Sequence, residues 1–370
     1  MDSESTSNLL QLSKTVYEAT STIVRHLKNT KQQEPTFNQN SSTIKYSEDV
    51  QAARSVLNEA ARDLICLVNG PINEFRQLLM THYDIASYQV ALQFEFFKHV
   101  PLNGRVHLAD LAHKAGLDQD RCRRVIKHLK TQHIFKEIVP DVLEHTASSA
   151  SIAQDPNLEA LLLMQFDEMF KAATATSTFL RNSPLESNSD ECGFATYYGK
   201  SVYSWYMDHP EKALGFAKAM AALNRMDRPV STLCDDFPWE KLKSGKVVDV
   251  GGGRGHVSMY LASRYPDLSF VVEESNSAAI AEGQATLNSD IAGRVSFMQH
   301  DFFTKQPITD ASTFLLRHCL HNWNDKDCIR IIRALIPALE KCRPGAQILI
   351  NEVILPEYDE VLNYEEHLLR

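Results

Sequence analysis

VVDVGGGRGHVS, at residues 247–258, is the most informative segment of the chain. An apolar strand pattern, KVVDV, runs directly into a cluster of glycines, and an apolar helical pattern follows. The motif D-x-G-x-G-x-G places Asp249, Gly251, Gly253 and Gly255 at the turn. Glycine permits tight turns and close approach to a ligand, and doubly wound sheets bind nucleotides at such a turn. This spacing favours a binding loop over a turn that binds nothing.

Four more strand patterns follow the first one, and helical patterns separate most of them. They are LSFVVEE, RVSFMQ, STFLLR and AQILINEVIL, at residues 268–274, 294–299, 312–317 and 346–355. Alternating strands and helices indicate βαβ units and hence a parallel sheet. We therefore predict an α/β fold with a Rossmann-like, doubly wound parallel sheet in residues 191–370.

The first half of the chain is mainly helical. We interpret residues 1–50 as one helix with a polar linker, and residues 51–190 as a helical domain. Within that domain, the segment at residues 106–135 indicates a helix–turn–helix, with Asp118 or Asp120 as N-cap of its second helix. A short hairpin pattern comes next, which completes the pattern of a winged helix.

The composition excludes several classes of protein. A net charge of −9 argues against nucleic-acid binding, because proteins of that class neutralise phosphates with Lys and Arg. The N-terminal residues MDSESTSN do not resemble a secretory signal, and no apolar run is long enough to span a bilayer. The 7 cysteines are scattered, without the spacing of a disulfide framework or metal site. We expect a cytoplasmic protein with reduced thiols and no membrane or nucleic-acid partner.

The glycine loop and the next strand indicate which nucleotide binds. The dinucleotide fingerprint G-x-G-x-x-G and the P-loop sequence G-K-[ST] are both absent. Asp249 at the loop entrance suits a cationic amino group and would repel a pyrophosphate. Glu274, at the end of the second strand, can accept hydrogen bonds from both hydroxyls of a ribose. These features fit S-adenosyl-L-methionine, which carries an adenosine, an amino-acid tail and a sulfonium.

Two histidines, His318 and His321, follow the fourth strand at the edge where α/β sheets bind ligands. Methyl transfer to a phenol needs a base, and an imidazole, with a pKa of about 6.5, suits neutral pH. Glu352, at the end of the fifth strand, could fix the imidazole tautomer. His321 is the candidate base, and a merely structural role is the alternative. Asp325 and Asp327 could suggest a metal, but helix capping is the simpler interpretation, so we expect none.

Taken together, these sequence features resemble those of the plant and fungal small-molecule O-methyltransferases typified by caffeic acid O-methyltransferase. The chain is most similar to the fungal branch that acts on polyketides, the sterigmatocystin O-methyltransferase type. The resemblance runs from about residue 61 to the end and rests on LVNGP, IFKEI, EHTASS, DHPEKALGFAKAM, VVDVGGGRGH, HDFF and RHCLHNWNDKDC. It implies an enzyme that methylates a hydroxyl of a small phenolic or polyketide molecule.

The resemblance also assigns roles to individual residues, with His321 as the general base and Glu352 as its carboxylate partner. Asp249 and Gly253 of the loop belong to the predicted cofactor site. The resemblance adds further residues for the cofactor's amino-acid tail, ribose and adenine: Gly251, Gly252, Glu274, Asp301, Phe302 and Arg317. The candidates for the substrate pocket are Met220, Asn224 and Trp323. Met220 fits equally well as an ordinary core residue of an amphipathic helix.

A homodimer through the N-terminal domain is implied as well. In the resembled family the winged helix serves dimerisation and closes the substrate pocket. The segment around Phe94, Phe96 and Phe97 is more aromatic than a solvated face tolerates. Because aromatic patches favour interfaces, we predict that these residues lie in the dimer contact.

Three departures from the family pattern stand out. Asn322 follows the candidate base where the family has Asp, and the second strand ends in Glu274-Ser275-Asn276 where the family has Asp-Leu-Pro. The chain stops at Arg370, before the two further strands and second carboxylate of the family. We therefore expect a C-terminally shortened sheet with an exposed fifth strand, cofactor binding with weak turnover, and poor solubility.

Two other hypotheses stay open. The chain could be a catalytically weakened or inactive relative of the methyltransferases. It could also be a regulator, in which a DNA-binding winged helix is joined to a ligand-sensing α/β domain. The basic residues behind the second hypothesis are Arg121, Arg123, Arg124, Lys127 and Lys130. A solvated helix face is the simpler explanation for them.

Overall fold

In the computed structural model, the chain divides into two compact units, the first ending at Glu168 and the second beginning at Met169. The structure describes residues 7–186, 188, 191–226 and 230–353. The sequence predicted this boundary after residue 190. The difference has a physical cause, because Ala172 and Phe194 share one apolar cluster with Trp205 and Tyr206 of the second unit.

The first unit is mainly helical, and its second helix kinks at Gly70, where φ is 70°, just before Pro71. Its elements are α1 (Asn8–Asn29), α2 (Glu48–Leu78), α3 (Thr81–Gln93), α4 (Phe96–His99), β1 (Val106–His107), α5 (Leu108–Ala115), α6 (Gln119–Thr131), β2 (Lys136–Val139), β3 (Val142–Glu144), α7 (Ala147–Gln154) and α8 (Pro156–Met164). A π-helical turn, Gln165–Met169, follows α8.

The predicted winged helix is confirmed. Helices α5 and α6 form the helix–turn–helix, and β1, β3 and β2 pair antiparallel in that order. The carboxylate of Asp118, and not that of Asp120, caps α6, because it accepts the N–H of Arg121 at 3.0 Å.

The aromatic segment before the winged helix lies in the core, so its predicted place at an interface is wrong. Phe96 and Phe97 are 0% and 1% exposed and pack with Phe135 and Leu111 in the main apolar cluster of the first unit. Phe94 is 36% exposed. The composition identified apolar side chains, but burial within the unit accounts for two of the three aromatic rings.

The predicted polar linker packs on the winged helix. The Phe37 ring stacks on His133 with 4.0 Å between ring centroids, and the carbonyl of Phe37 accepts the N–H of Ala147 at 3.1 Å. Asn38 pairs with Thr146 as an isolated β-bridge. This segment therefore belongs to the first unit and does not form a free tether.

The second unit begins with short helices and continues as an α/β sheet. Its elements are α9 (Phe170–Thr174), α10 (Thr176–Asn182), α11 (Gly193–Tyr198), α12 (Val202–Asp208), α13 (Pro210–Met226), α14 (Thr232–Asp236), β4 (Lys246–Val250), α15 (His256–Arg264), β5 (Ser269–Glu274), α16 (Ser277–Thr286), β6 (Val295–Gln299), β7 (Thr313–Arg317), α17 (Asp325–Leu339) and β8 (Gln347–Asn351). Two 3₁₀ turns, Trp239–Leu242 and Leu320–Asn322, lie between them.

The five strands of this sheet are parallel in the order β6-β5-β4-β7-β8, which confirms the predicted doubly wound fold. Helix α15 buries Val257 and Leu261 in the cluster on one face, and α17 buries Ile331 and Leu335 in the cluster on the other. Because the strands are parallel, their carboxyl ends meet at one edge. Among the described residues the fifth strand, β8, pairs only with β7 and so lies at the edge of the sheet, as expected, whereas the chain after residue 353 is outside the described residues.

Among the described residues, no helix combines the length and the apolar character that crossing a bilayer requires.

The capping contact of α6 gives the first prediction. Replacing Asp118 with Ala should lower the free energy of unfolding by about 1 kcal/mol, because the N–H of Arg121 loses its acceptor. Asp120→Ala is the matched control. It removes only an exposed i,i+4 ion pair with Arg124 and should cost no more than about 0.5 kcal/mol. Urea denaturation measures both, and equal losses would contradict the assignment of the cap.

Candidate active site

The glycine loop follows β4 directly and lies close to the neighbouring strand. A Cβ at Gly252 would come within 2.6 Å of the Asp249 carboxyl carbon, so a larger residue would not fit there. Gly253 has a φ of 58°, which side-chain-bearing residues rarely adopt. The spacing of the motif therefore reflects two separate requirements, close approach at one position and left-handed backbone at the other.

Asp249 lies beneath this loop and is 2% exposed. Its Oδ2 accepts the hydroxyl of Ser258 at 2.7 Å, which ties the end of β4 to α15. Burial raises the pKa of Asp249 to about 6, while Ser258 and the charge of Arg317 act in the opposite direction. The contact seen is thus a structural one, and the expected contact with a cationic amino group stays a prediction.

Glu274 ends β5 beside the loop, and its carboxylate is held by peptide groups. Oε2 accepts the N–H of Gly253 at 3.1 Å. Oε1 accepts the N–H of Asn276 at 2.9 Å and the hydroxyl of Ser275 at 3.2 Å. The carboxylate is therefore fixed in orientation at the carboxyl edge of the sheet, half-buried and next to the glycines.

Aromatic rings surround the next part of this edge. Phe302 approaches the loop, with its Cε1 3.4 Å from the position of a Cβ on Gly251. Trp323 meets the ring of Phe302 edge-on at 5.8 Å and that of Phe303 at 4.7 Å, and Tyr203 of α12 lies nearly parallel to it at 6.4 Å. The sequence analysis missed Tyr203 and Phe303. The density of aromatic residues in SVYSWYMDHP was the available signal for Tyr203.

Asp301 and Arg317 also lie at this edge. Asp301 follows β6 and caps its own turn, because its Oδ1 accepts the N–H of Phe303 at 3.0 Å. Arg317 ends β7 and donates a hydrogen bond to the side-chain oxygen of Asn351 on β8.

His321 and Glu352 are in contact, as the sequence predicted from the ends of two strands. The imidazole Nδ1 lies 2.9 Å from Oε2 of Glu352. Oε1 of the same carboxylate accepts the N–H groups of Cys319 at 2.6 Å and Leu320 at 2.7 Å. Since a carboxylate only accepts, Nδ1 carries the proton and the lone pair of a neutral imidazole is on Nε2.

The environment of Glu352 favours its charged form. Burial by itself would raise the pKa of this carboxyl. The hydrogen bonds and charge of His321, together with the N–H groups of Leu320 and Cys319, outweigh burial and lower the pKa below its ordinary value. An ionised carboxylate beside the imidazole stabilises the imidazolium that forms when the base takes a proton.

The two acids suspected of metal binding belong to the start of a helix. Asn324 caps α17, with its Oδ1 accepting the N–H of Asp327 at 2.9 Å. Asp325 and Asp327 lie in the first turn, and Asp327 pairs with Arg330 at 2.7 Å. The expected capping role thus belongs to Asn324. In the part of the chain that the structure describes, His, Cys, Asp and Glu form no group of three or more suited to a metal ion.

Two substrate-pocket candidates lie on α13. Met220 is half-buried there, one turn before Asn224, whose side chain is outside the described part of the structure. Their roles stay predictions.

Comparisons with known proteins identify the family of this chain. A model of the O-methyltransferase domain family matches residues 180–367. The chain is 40% identical over 366 residues to O-methyltransferase sol2 of Alternaria solani, across 99% of this chain and 84% of that protein. It is 31% identical over 369 residues to the grayanic acid biosynthesis cluster O-methyltransferase of Cladonia grayi, across 98% and 77%. The crystal structure of OxaC in complex with SAH and oxaline aligns with a TM-score of 0.79 and 19% identity, across 98% of this chain and 88% of that one.

The structural match shows a shared fold, and the family match and sequence identities show common membership. The chain therefore belongs to the O-methyltransferase domain family and is an S-adenosylmethionine-dependent O-methyltransferase whose relatives come from fungi.

Proposed function

We propose that this enzyme methylates a hydroxyl of a small phenolic or polyketide metabolite, with His321 as general base. The contact of 2.9 Å between His321 Nδ1 and Glu352 Oε2 is the observation that carries the proposal. It leaves Nε2 of a half-exposed imidazole as the proton acceptor, at the edge of the sheet where the cofactor loop also lies.

The proposed chemistry is a displacement at carbon. S-adenosylmethionine would supply a methyl group on a sulfonium, so that the leaving group is a neutral thioether. Nε2 of His321 takes the hydroxyl proton as the new oxygen–carbon bond forms and the sulfur–carbon bond breaks. Glu352 holds the imidazole in the required tautomer and stabilises its positive charge. No metal ion has a role in this proposal.

The residues around the glycine loop fit the cofactor. Glu274 Oε2 accepts one peptide N–H, which leaves it a lone pair for a ribose hydroxyl. We assign Gly251 and Gly252 to the amino-acid tail, and Arg317 would pair with its carboxylate. We assign Asp301 and Phe302 to the adenine. Asp249, beneath the loop, and Gly253, within it, belong to the same proposed cofactor site.

Aromatic rings support the choice of substrate. Trp323 and Tyr203 present ring faces near the end of β7, and aromatic ligands stack on such faces. By the family resemblance, we assign Met220 and Asn224 of α13 to the same pocket. OxaC, of the same fold, is solved with oxaline as well as SAH, which is consistent with a small-molecule substrate here.

The regulator hypothesis is disfavoured by the partners of the basic helix. Arg123 pairs with Asp141 at 3.0 Å and Arg124 with Asp120 at 2.9 Å. Lys130 pairs with Glu137. Three of the five cations on α6 are thus paired with carboxylates, whereas DNA binding would need them for phosphates.

We also propose a homodimer, through the exposed apolar side chains in the second half of α2. Its large apolar residues, all between 53% and 78% exposed, are Ile65, Leu67, Val68, Ile72, Phe75 and Leu78. A patch of this kind is typical of an interaction site in a protein that stays dispersed in water. A second copy is the occupant we propose, because the patch carries few charges and a twofold contact pairs like with like.

The cofactor assignment predicts the effect of removing the acid. Glu274→Ala should weaken S-adenosylmethionine binding by roughly 1.5–3 kcal/mol, because charge-assisted hydrogen bonds to the ribose are lost. Glu282→Ala, which removes a neighbouring carboxylate paired with Arg254, is the matched control and should bind normally. Calorimetry measures both, and unchanged affinity in Glu274→Ala would refute the ribose assignment.

The base assignment predicts a loss of turnover without a loss of cofactor. His321→Ala should lower turnover on a phenolic substrate by about 10²–10⁴-fold, and a chelator should leave the wild-type rate intact. His318→Asn, which keeps a residue that tolerates the left-handed backbone there, is the control and should stay close to wild type.

The same experiment separates the remaining alternatives. Equal losses in His318→Asn and His321→Ala would contradict the assignment of the base, and loss of activity with chelator would favour a metal. Wild-type protein that binds cofactor but turns over no phenol in a broad panel would support the inactive relative.

The dimer proposal predicts a change in mass. Wild-type protein should scatter light as twice the chain mass of 41.8 kDa, and Ile72→Glu should shift it toward one chain. Ile72 is 78% exposed, so the added charge opposes association without disturbing a core. Val139→Glu, 55% exposed on β2, should remain dimeric. A monomeric wild type would exclude the dimer.

A further inference from the structure

Glu273, the residue before the proposed ribose acid, is a buried carboxyl in an apolar setting. It is 1% exposed. Side chains alternate along a strand, so Glu273 points to the face opposite Val272. Its partners in register on the neighbouring strands are Val250 of β4 and Met298 of β6. A carboxyl in such a place is costly unless it is hydrogen-bonded or neutral.

The side chain of Glu273 has one strong partner. Its Oε2 accepts a hydrogen bond from Nε2 of Gln306 at 2.8 Å, and Gln306 is itself 2% exposed. Gln306 is anchored in turn, because its Oε1 accepts the N–H of Ile308 at 2.8 Å and its own N–H donates to the carbonyl of Ala334 on α17 at 3.1 Å. Oε1 of Glu273 has no hydrogen-bond partner among the described residues.

The main chain of Glu273 contacts the glycine loop. Its carbonyl accepts the N–H of Gly252 in the glycine loop at 3.0 Å. Gln306 lies on the loop between β6 and β7 that also carries Phe302, and the Phe302 ring lies next to Gly251. One residue thus joins the two loops that form the proposed cofactor site, by its main chain to one and by its side chain to the other.

The surroundings favour a neutral carboxyl. Burial raises the pKa of Glu273 to about 7, the hydrogen bond from Gln306 acts in the opposite direction, and the charge of Asp249 on β4 raises the pKa further. The remaining neighbours named above are uncharged: Val250 on β4, Met298 on β6, Gln306 on the loop and the Ala334 carbonyl of α17. An ionised carboxylate would lack a cation to balance it there.

We propose that Glu273 and Gln306 are a positioning pair, whose hydrogen bond holds the Phe302 loop against the glycine loop. Ionisation of Glu273 places an unbalanced charge in this buried setting, which favours entry of water beside the pair and weakens cofactor binding, although the hydrogen bond from Gln306 itself favours the charged form. The inference rests on the proposed cofactor site and extends it to a residue that touches no ligand.

Binding measured across pH tests the pair. S-adenosylmethionine is titrated calorimetrically into wild type, Glu273→Gln and Glu273→Leu between pH 5.5 and 8.5. The wild-type dissociation constant should rise roughly three- to tenfold over this range, since one unit of pKa difference between loaded and free protein corresponds to tenfold. Glu273→Gln keeps an acceptor for Gln306 without a titrating group. It should bind as wild type does at low pH, and lose this pH dependence.

Glu273→Leu should bind about tenfold more weakly at every pH, because the Gln306 donor is left buried and unpaired. If this variant fails to fold, Gln306→Met removes the same hydrogen bond from the other side and should give the same weakening.

Thermal unfolding provides a second measurement. The pKa of Glu273 is higher in the folded protein, about 7, than its ordinary value of 4.5. Its contribution to stability is therefore present below pH 4.5 and is lost as the pH rises toward 7. The Tm of wild type should fall relative to that of Glu273→Gln over this window. Asp249 titrates in both proteins, so the difference isolates Glu273.

Two results would overturn the proposal: a wild-type pH dependence retained by Glu273→Gln, or normal affinity in both Glu273→Leu and Gln306→Met. Glu274→Ala distinguishes this failure from failure of the cofactor site. Normal binding by Glu274→Ala means that the site itself is misassigned. If Glu274→Ala binds the cofactor more weakly while the Glu273 variants bind it normally, only the positioning pair is refuted.

Discussion

The carboxylate of Glu352 joins the ends of two neighbouring strands. One oxygen accepts the N–H groups of Cys319 and Leu320, and the other contacts the imidazole of His321. The register of β7 and β8 pairs Arg317 with Asn351, so Glu352, directly after β8, lies opposite the turn that follows β7. The orientation of the imidazole is therefore set by the register of the sheet and by peptide groups. A side-chain contact alone would leave it freer to rotate.

The same edge concentrates buried acids, and this opposes stability. Burial raises the pKa of both Asp249, to about 6, and Glu273, to about 7. Raised values mean that the folded state binds protons more tightly than the unfolded chain, so both groups lower stability as the pH rises toward neutrality. Proteins retain such groups where function requires them. In this chain Asp249 accepts a hydrogen bond from Ser258 of α15, and Glu273 accepts one from Gln306 of the Phe302 loop, so each acid is tied to an element of the site.

Sequence reasoning succeeded where the signal is local. The glycine spacing, the strand patterns and the position of Glu352 at a strand end are all readable from a few consecutive residues, and parallel topology brings strand ends together. It failed where the answer depends on distant partners. A single aromatic residue, Phe37, anchors a polar segment because His133 is there to stack on it. Apolarity alone likewise could not tell whether Phe96 and Phe97 face a core or another subunit.

The candidate site shows the same division. Tyr203 comes to Trp323 from a helix more than a hundred residues earlier in the chain, and the sequence holds no local pattern that pairs them. The Glu273–Gln306 contact cannot be read from spacing, since it depends on where a loop returns. The cap of α17 is a different case, because Asn324 lies three residues before Asp327 and is of a type preferred at N-caps, so its signal was local.

One departure from the family pattern has a physical explanation in the structure. Where the resembled family has Asp-Leu-Pro, this chain has Glu274-Ser275-Asn276. Proline has no N–H to donate, but Asn276 does, and it donates to Oε1 of Glu274 at 2.9 Å. The longer acid is thus held by an N–H that the family sequence lacks, while Oε2 reaches back to Gly253. Asn276 thus supplies an anchor that a proline could not, and the carboxylate lies beside the glycine loop with a lone pair left for a ligand.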